Sequence, residues 1–446
     1  MKKQFEKGNL EWYLRSFQVL ESRLNGQIDS SLHQLRKKGI QSFEHLGYPT
    51  TKNEEWKYTS VASIQSHDFQ LSEPYTPGSV DYNNIGQYIF EGFEDACLVF
   101  INGHYAADLS RLGAIGTEIR IKSIQQAFAD EDDIFRKHFA TQAGVENESF
   151  VSLNTAFVED GIFIETGKNL TLQQPLQLLF IASTKGKPIL TSPRNLIVVG
   201  KSSELTLVET YAAVDEGTYF TNNVGEIVVG ENAQLKRYRI QIEGENAYHI
   251  SRTYVEQHRS SRFIDHSISL GGKLSRNDIV SVLKAENGMS VLNGLYIGNH
   301  DQHIDNHTTI DHTQPRCESH ELFKGILDDK AKGVFNGKIF VRPDAQKTNA
   351  IQSNNCILLS DEATIDTKPQ LEIFADDVKC THGATVGQLD EDAFFYMRSR
   401  GIEKSRARNL LIYAFVSEIL DQIELDSVRE KVTYWFSKKF QRIRPE

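Results

Sequence analysis

Long apolar runs are missing from this chain of 446 residues. A stretch such as Leu410 to Val416 spans only seven residues, whereas a membrane-crossing helix needs roughly 20, so no membrane span is expected. Cysteine is scarce. Cys97, Cys317, Cys356 and Cys380 are the four, widely separated, which excludes a dense disulfide framework and predicts reduced thiols. The N-terminus begins basic but carries Glu6 and Glu11 and has no apolar core of a signal peptide; a cytoplasmic location is expected. Positive charge is in deficit, with 49 Lys and Arg against 60 Asp and Glu and a formal net charge of -11. A chain so charged has no general attraction for phosphate backbones or anionic lipid, so nucleic acid and membrane surfaces are not expected partners.

Several chemical signatures are absent too. Gly333-Val334-Phe335-Asn336-Gly337-Lys338-Ile339 falls one residue short of the phosphate-loop spacing, and Ile follows the lysine where Ser or Thr is needed. The esterase elbow G-x-S-x-G and the zinc-protease pattern H-E-x-x-H do not occur.

What is present divides the chain into three. Residues 1–150 form an N-terminal helical and mixed α/β region. Its Trp12, Leu14, Phe17, Leu20, Leu24, Ile28, Leu32 and Leu35 recur mostly every three or four positions, predicting one or two amphipathic helices, and Gln125 to Ala140 suggests another. Residues 151–389 change texture. Short runs such as Leu176 to Ile181, Leu196 to Val199 and Glu226 to Val229 are separated by Gly, Asn, Asp and Ser, which reads as strands joined by turns. Phrases such as Gly230-Glu231-Asn232-Ala233 and Asp361-Glu362-Ala363 each set a small residue in a turn before alternating apolar positions. That pattern suits coils stacked as a parallel β-helix, with a sandwich as the alternative. Residues 390–446 return to helical spacing, with an apolar stripe through Ala407, Leu410, Leu411, Ala414, Phe415, Ile419 and Leu420 and a second helix through Val428, Val432, Trp435 and Phe436.

Two clusters invite chemistry. Eight of fourteen histidines lie between 249 and 320, densest from His300 through His303 and His307 to His312. On a strand His303, Asp305 and His307 share one face and Ile304, Asn306 and Thr308 the other. Imidazoles with carboxylates suit zinc or iron, yet alternate strand residues sit about 7 Å apart, so a structural hydrogen-bonded ladder is the plainer reading, with a metal site or an interface as alternatives. The second cluster is Cys380-Thr381-His382. On a strand the thiol and imidazole point the same way, enough for half a metal site but poorly placed as a nucleophile and base. A buried cysteine and a satisfied histidine ending a sheet are the plainer reading.

CESHELFKGIL (Cys317 to Leu327), KGVFNGKIFV (Lys332 to Val341), QKTNA (Gln346 to Ala350), TKPQLEI (Thr367 to Ile373), ADDVKCTHGATVG (Ala375 to Gly387) and FYMRSRGI (Phe395 to Ile402) closely resemble the SufB/SufD family of iron-sulfur cluster assembly proteins. The resemblance is dense over about 300 to 420 and thinner upstream, where EEWKYT (Glu54 to Thr59) is similar to the SufD branch. It implies a mainly β fold: a right-handed parallel β-helix core flanked by N-terminal and C-terminal helical regions. It also implies a SufBCD complex in which a SufB-like subunit pairs through the β-helix and a SufC-like ATPase docks on the C-terminal helical module. Ala363 stands at our placement of the SufB assembly cysteine, while His382 matches the SufD interface histidine. These expectations name His382 first and Cys380 second as a half-site for iron or a nascent cluster. They name Arg400, Gly401, Leu411 and Phe415 for partner docking. No catalytic residue is expected, and no cofactor held tightly by the isolated chain; iron or a transient cluster belongs to the complex. A homodimer is left open, and the rival readings are a metal-dependent enzyme using the 300–312 histidines and a purely structural interaction protein.

Overall fold

The computed structural model describes residues 10–24, 30–113, 115 and 119–443; Glu6 and Ile28, part of the readings above, lie outside them. Alternation of inward and outward side chains along short strands dictates the core. From Arg194 successive strands pass back and forth between two parallel sheets, each strand pairing with the next but one in sequence. His303–His312, for example, lies between Leu274–Leu283 and Lys332–Val341 in the first sheet, and Glu318–Leu327 lies between Met289–Gly298 and Asn349–Leu358 in the second. Leu274 stands opposite His303, and His303 opposite Lys332, so one coil takes about thirty residues. The protein is a parallel β-solenoid with helices before and after it.

The turns explain the repeated small-residue phrases. Ser202, Asn232, Ser260, Asn287, Arg316 and Lys347 all adopt positive φ, between 54° and 63°, and stack at one corner. Their amides reach the next coil, as in Asn232 N to Arg259 O at 2.9 Å and Arg316 N to Gln346 O at 2.9 Å. The residue that follows has little room, and Ala233, Ser261, Cys317 and Thr348 are all buried there. Cys317 is thus a turn-filling residue. Ala363 is buried as well, with the Thr364 amide donating to Ala331 O at the opposite corner.

Inside the solenoid, Ile227, Val255, Ile279, Ile304, Leu292, Phe323 and Phe335 pack into one cluster. Fully burying each such side chain is worth about 1.5–3 kcal/mol. Both outer faces are covered. Leu10–Arg23, Ser31–Leu46 and Ser149–Phe157 pack Tyr13, Phe17, Phe43 and Phe157 together and against Phe220, Tyr248 and Ile250 of the first sheet. Gly39 permits this, since a Cβ there would stand 2.6 Å from the Ala156 backbone nitrogen. The expected helix over Gln125 to Ala140 is two short ones, Ile124–Ala129 and Asp133–His138, each started by a side-chain cap, Ser123 and Asp132.

Three helices follow the last strand: Glu391–Ser399, Lys404–Leu420 and Asp426–Ile443. The latter two cover the second sheet, placing Ile412, Val416, Ile419, Val428, Val432 and Phe436 against Ile240, Ile268, Leu295 and Ile326. The buried stripe of Lys404–Leu420 is therefore Ala407, Ile412, Val416, Ile419 and Leu420. It differs from the expected one because Leu410 and Ala414 turn to solvent while Ile412 and Val416 are buried. Among the described residues no helix is long and apolar enough to cross a membrane.

Candidate functional site at the open end of the solenoid

A stacked coil has two edges to satisfy, and the last one satisfies only one. Thr364–Ile373 ends the first sheet and Lys379–Gly387 the second; each pairs with a single neighbour. Their free edges present unpaired backbone groups, a template for another strand. Ile373, Phe374 and Val386 lie exposed beside them, Phe374 at 58 %.

Cys380 and His382 stand in register with Ala350 and Gln352, whose side chains are fully buried inside the solenoid. The pair shares a face, as expected, but it is the inner face of the sheet. It reaches solvent because no further coil closes the end. His382 is exposed, whereas Cys380 is half-buried beside Leu371, Val378, Ala350 and Ala375. Burial pushes the Cys380 thiol up, partly offset by a backbone hydrogen bond from Ala350. The resting thiol is therefore not an activated nucleophile. Two side chains fill at most two of four tetrahedral positions, and among the described residues no group of three or more His, Cys, Asp or Glu side chains is placed to hold a metal ion.

Behind His382 the same column of side chains turns polar and dry. Leu292, Glu321, Gln352 and His382 succeed one another in register, and the Gln352 amide donates to the Glu321 carboxyl. Burial pushes Glu321 up to about 7, opposed by hydrogen bonds from Thr308 and Gln352. Gly337 accommodates this arrangement from the opposite sheet, since a Cβ there would meet the Gln352 amide nitrogen at 2.2 Å.

The other cysteines offer no surface. Cys97 and Cys356 are buried, and burial raises both thiols to about 12.

The histidine strand behaves as a ladder. His303, Asp305 and His307 face outward beneath the N-terminal region, and His312 faces the interior. His303 Nε2 meets the Thr59 hydroxyl at 2.8 Å, His307 Nε2 pairs with Asp305 at 2.9 Å, and His312 Nε2 meets Ser319 Oγ at 2.9 Å. Burial lowers His303 and His312 to about 4. His300 sits apart on an exposed turn. The strand's carboxylate is already engaged by Arg276, which is bonded to Asp278 at 2.8 Å and Asp305 at 2.9 Å.

The expected docking residues separate into two groups. Phe415 is half-buried, its ring 4.6 Å from Lys324 Nζ, which also donates to its carbonyl at 2.8 Å. Leu411 is half-buried too. Arg400 and Gly401 form the exposed turn after Glu391–Ser399, where Gly401 takes φ 80° and the Arg400 guanidinium bonds the Tyr396 hydroxyl at 3.0 Å. The residues open to solvent here are Phe395 at 74 %, Tyr396, Leu410 and Tyr413. Sequence spacing put Leu410 in the buried stripe, because apolar residues in Lys404–Leu420 are spread round the helix and define no single face, and did not single out the other three.

The chain is thus a parallel β-solenoid whose last coil leaves two strand edges free, with a thiol and an imidazole beside them. Two family models match the chain: the SUF system FeS cluster assembly, SufBD core domain over residues 180–415, and the SufBD protein N-terminal region over residues 8–178. The chain is 35% identical over 423 residues to an iron-sulfur cluster assembly SufBD family protein of Synechocystis, covering 92% of each. It is 30% identical over 406 residues to the iron-sulfur cluster assembly protein SufD of Escherichia coli, covering 89% of this chain and 92% of that one. Similarity to the assembly protein SufB of Bacillus subtilis is 26% over 314 residues, covering 69% and 66%. The chain belongs to the SufBD family of iron-sulfur cluster assembly proteins, and its SufD relatives support a SufD-like role.

Proposed function

We propose that the chain is the SufD-like subunit of a SufBCD-type complex. Its open solenoid end pairs with a SufB-like subunit, and iron or a nascent cluster, as cargo, is handled between them. The C-terminal helices receive a SufC-like ATPase, which supplies the energy, so this chain is an assembly factor and not an enzyme. The observation that carries the reading is His382: an exposed imidazole on a free-edged strand, with a thiol two positions before it. His382 is the first ligand or proton carrier and Cys380 the second, because Cys380 is already engaged in apolar packing. The ATPase meets the exposed Phe395, Tyr396, Leu410 and Tyr413 together with the Arg400-Gly401 turn.

Co-expression with SufB-like and SufC-like subunits under anaerobic, reducing conditions tests this. Capture of both partners is expected, with iron and sulfide bound to the complex. His382→Ala is expected to cut cluster yield at least tenfold while leaving partner capture unchanged. Equal yield from variant and wild type removes His382 from the mechanism, and failure to capture a SufB-like chain removes the subunit assignment.

A further inference from the structure

The phrase Glu54 to Thr59 plays no part in the function just proposed, yet its contacts are dense. It lies across the outer face of the first sheet. The Trp56 ring sits 3.8 Å from the guanidinium carbon of Arg276, in the strand Leu274–Leu283, and Arg276 also donates to the Glu55 carbonyl at 2.7 Å. One strand on, the Thr59 hydroxyl donates to Asp305 at 2.6 Å. On the next, Lys332 donates to the Tyr58 carbonyl at 3.0 Å, and Lys338 pairs with Glu55. Glu54 ends the series on Lys368, within Thr364–Ile373.

Six residues thus cross four neighbouring strands and finish on the one whose far edge is free. That strand is the wall opposite Cys380 and His382, and its Leu371 packs in the same apolar group as Cys380. An edge strand with one neighbour opens locally at the lowest cost in a sheet, so a tie to buried groups farther inside counts most there. We propose that Glu54–Thr59 is a brace that positions Thr364–Ile373, with Trp56 as its anchor and Glu54 as its grip on the terminal coil. The histidine-rich strand is part of the seat on which it rests. The bearing of the brace on cluster handling rests on the half-site reading above; the positioning of the strand does not.

Hydrogen-deuterium exchange on the full chain tests it. Trp56→Ala is expected to speed exchange across Thr364–Ile373 about tenfold, with Glu204–Ala213 and Gln234–Gln241 unchanged. Glu54→Lys is expected to speed it about two- to fivefold, as suits an exposed pair, and adding Lys368→Glu should restore wild-type exchange. Unchanged exchange in Thr364–Ile373 in both single variants overturns the proposal. So does acceleration spread evenly over the chain, or a reversed pair that fails to restore protection. Should the exchange pattern hold while His382→Ala leaves cluster yield intact, the half-site reading falls and the brace stands. The opposite pair of results removes the brace alone.

Discussion

The middle coils and the last coil are built from the same repeating unit and live in different environments. At Leu274–Leu283 and His303–His312 each strand has a neighbour on both sides, and even charged groups are sealed: Arg276, Asp278 and Asp305 are all buried. At Thr364–Ile373 and Lys379–Gly387 the same ladder stops, and side chains that would line the interior meet solvent instead. Gln352 and His382 occupy successive places in one column, one wholly buried and the other exposed. The residue type at such a position says less about its role than the presence or absence of the next coil.

The comparison is broken most severely by emptying the buried pair. Arg276→Ala takes the shared guanidinium from the buried Asp278 and Asp305, leaving Arg252 at 3.2 Å from the first and His307 at 2.9 Å from the second, and should lower stability by about 3–5 kcal/mol. The exposed terminal pair is different, and Lys368→Ala should cost less than about 1 kcal/mol. Denaturant midpoints of the two variants check this; similar shifts would erase the distinction between sealed and open coils.

Next in size is a pH effect inside the solenoid. Glu321 is held up to about 7 by burial, so its folded value exceeds its unfolded value. Its contribution is fully present below the ordinary carboxylate range and is lost as pH rises towards 7, by roughly 3–4 kcal/mol in all. Glu321→Gln should therefore flatten the fall in stability expected of the wild type between about pH 4.5 and pH 7. A variant with the same slope would show that Glu321 ionises without penalty.

The C-terminal helices sharpen the contrast between packing and docking on a single element. Phe415→Glu should destabilise the chain by about 1–3 kcal/mol, since the ring packs on Lys324 and the second sheet. Tyr413→Glu should leave stability within about 0.5 kcal/mol while weakening capture of a SufC-like ATPase. Thermal melts and pull-downs read the two effects separately, and the reverse outcome would place the docking face on the packed side. The smallest effect on stability belongs to His382→Ala, within about 0.5 kcal/mol because the side chain is exposed. A larger loss would mean that the imidazole supports the coil.

Much of this is legible in the sequence. Short strands between turn residues announced stacked coils, and the phrase ending in Ala233 is one of the tight left-handed turns; that Ser261, Cys317 and Thr348 fill the same corner is visible only in the structure. The shared face of His303, Asp305 and His307 also followed from strand periodicity alone. What those groups do did not follow. Besides one another and Arg276 they meet Thr59 and Glu55, more than two hundred residues away in sequence, and no local pattern encodes such a meeting. The same blindness misplaced the stripe of Lys404–Leu420, where Ile412 and Val416 face the sheet and Leu410 and Tyr413 do not.

By itself the sequence determined the repeating coil, the absence of a spanning helix among the elements it encodes, and the strand that carries Cys380 and His382, all of which depend on neighbours along the chain. Only the tertiary structure decided which rung of the ladder would be last. Burial, free edges and the wall across from His382 depend on which segments stack and where stacking ends, and that is a property of contacts made across hundreds of residues.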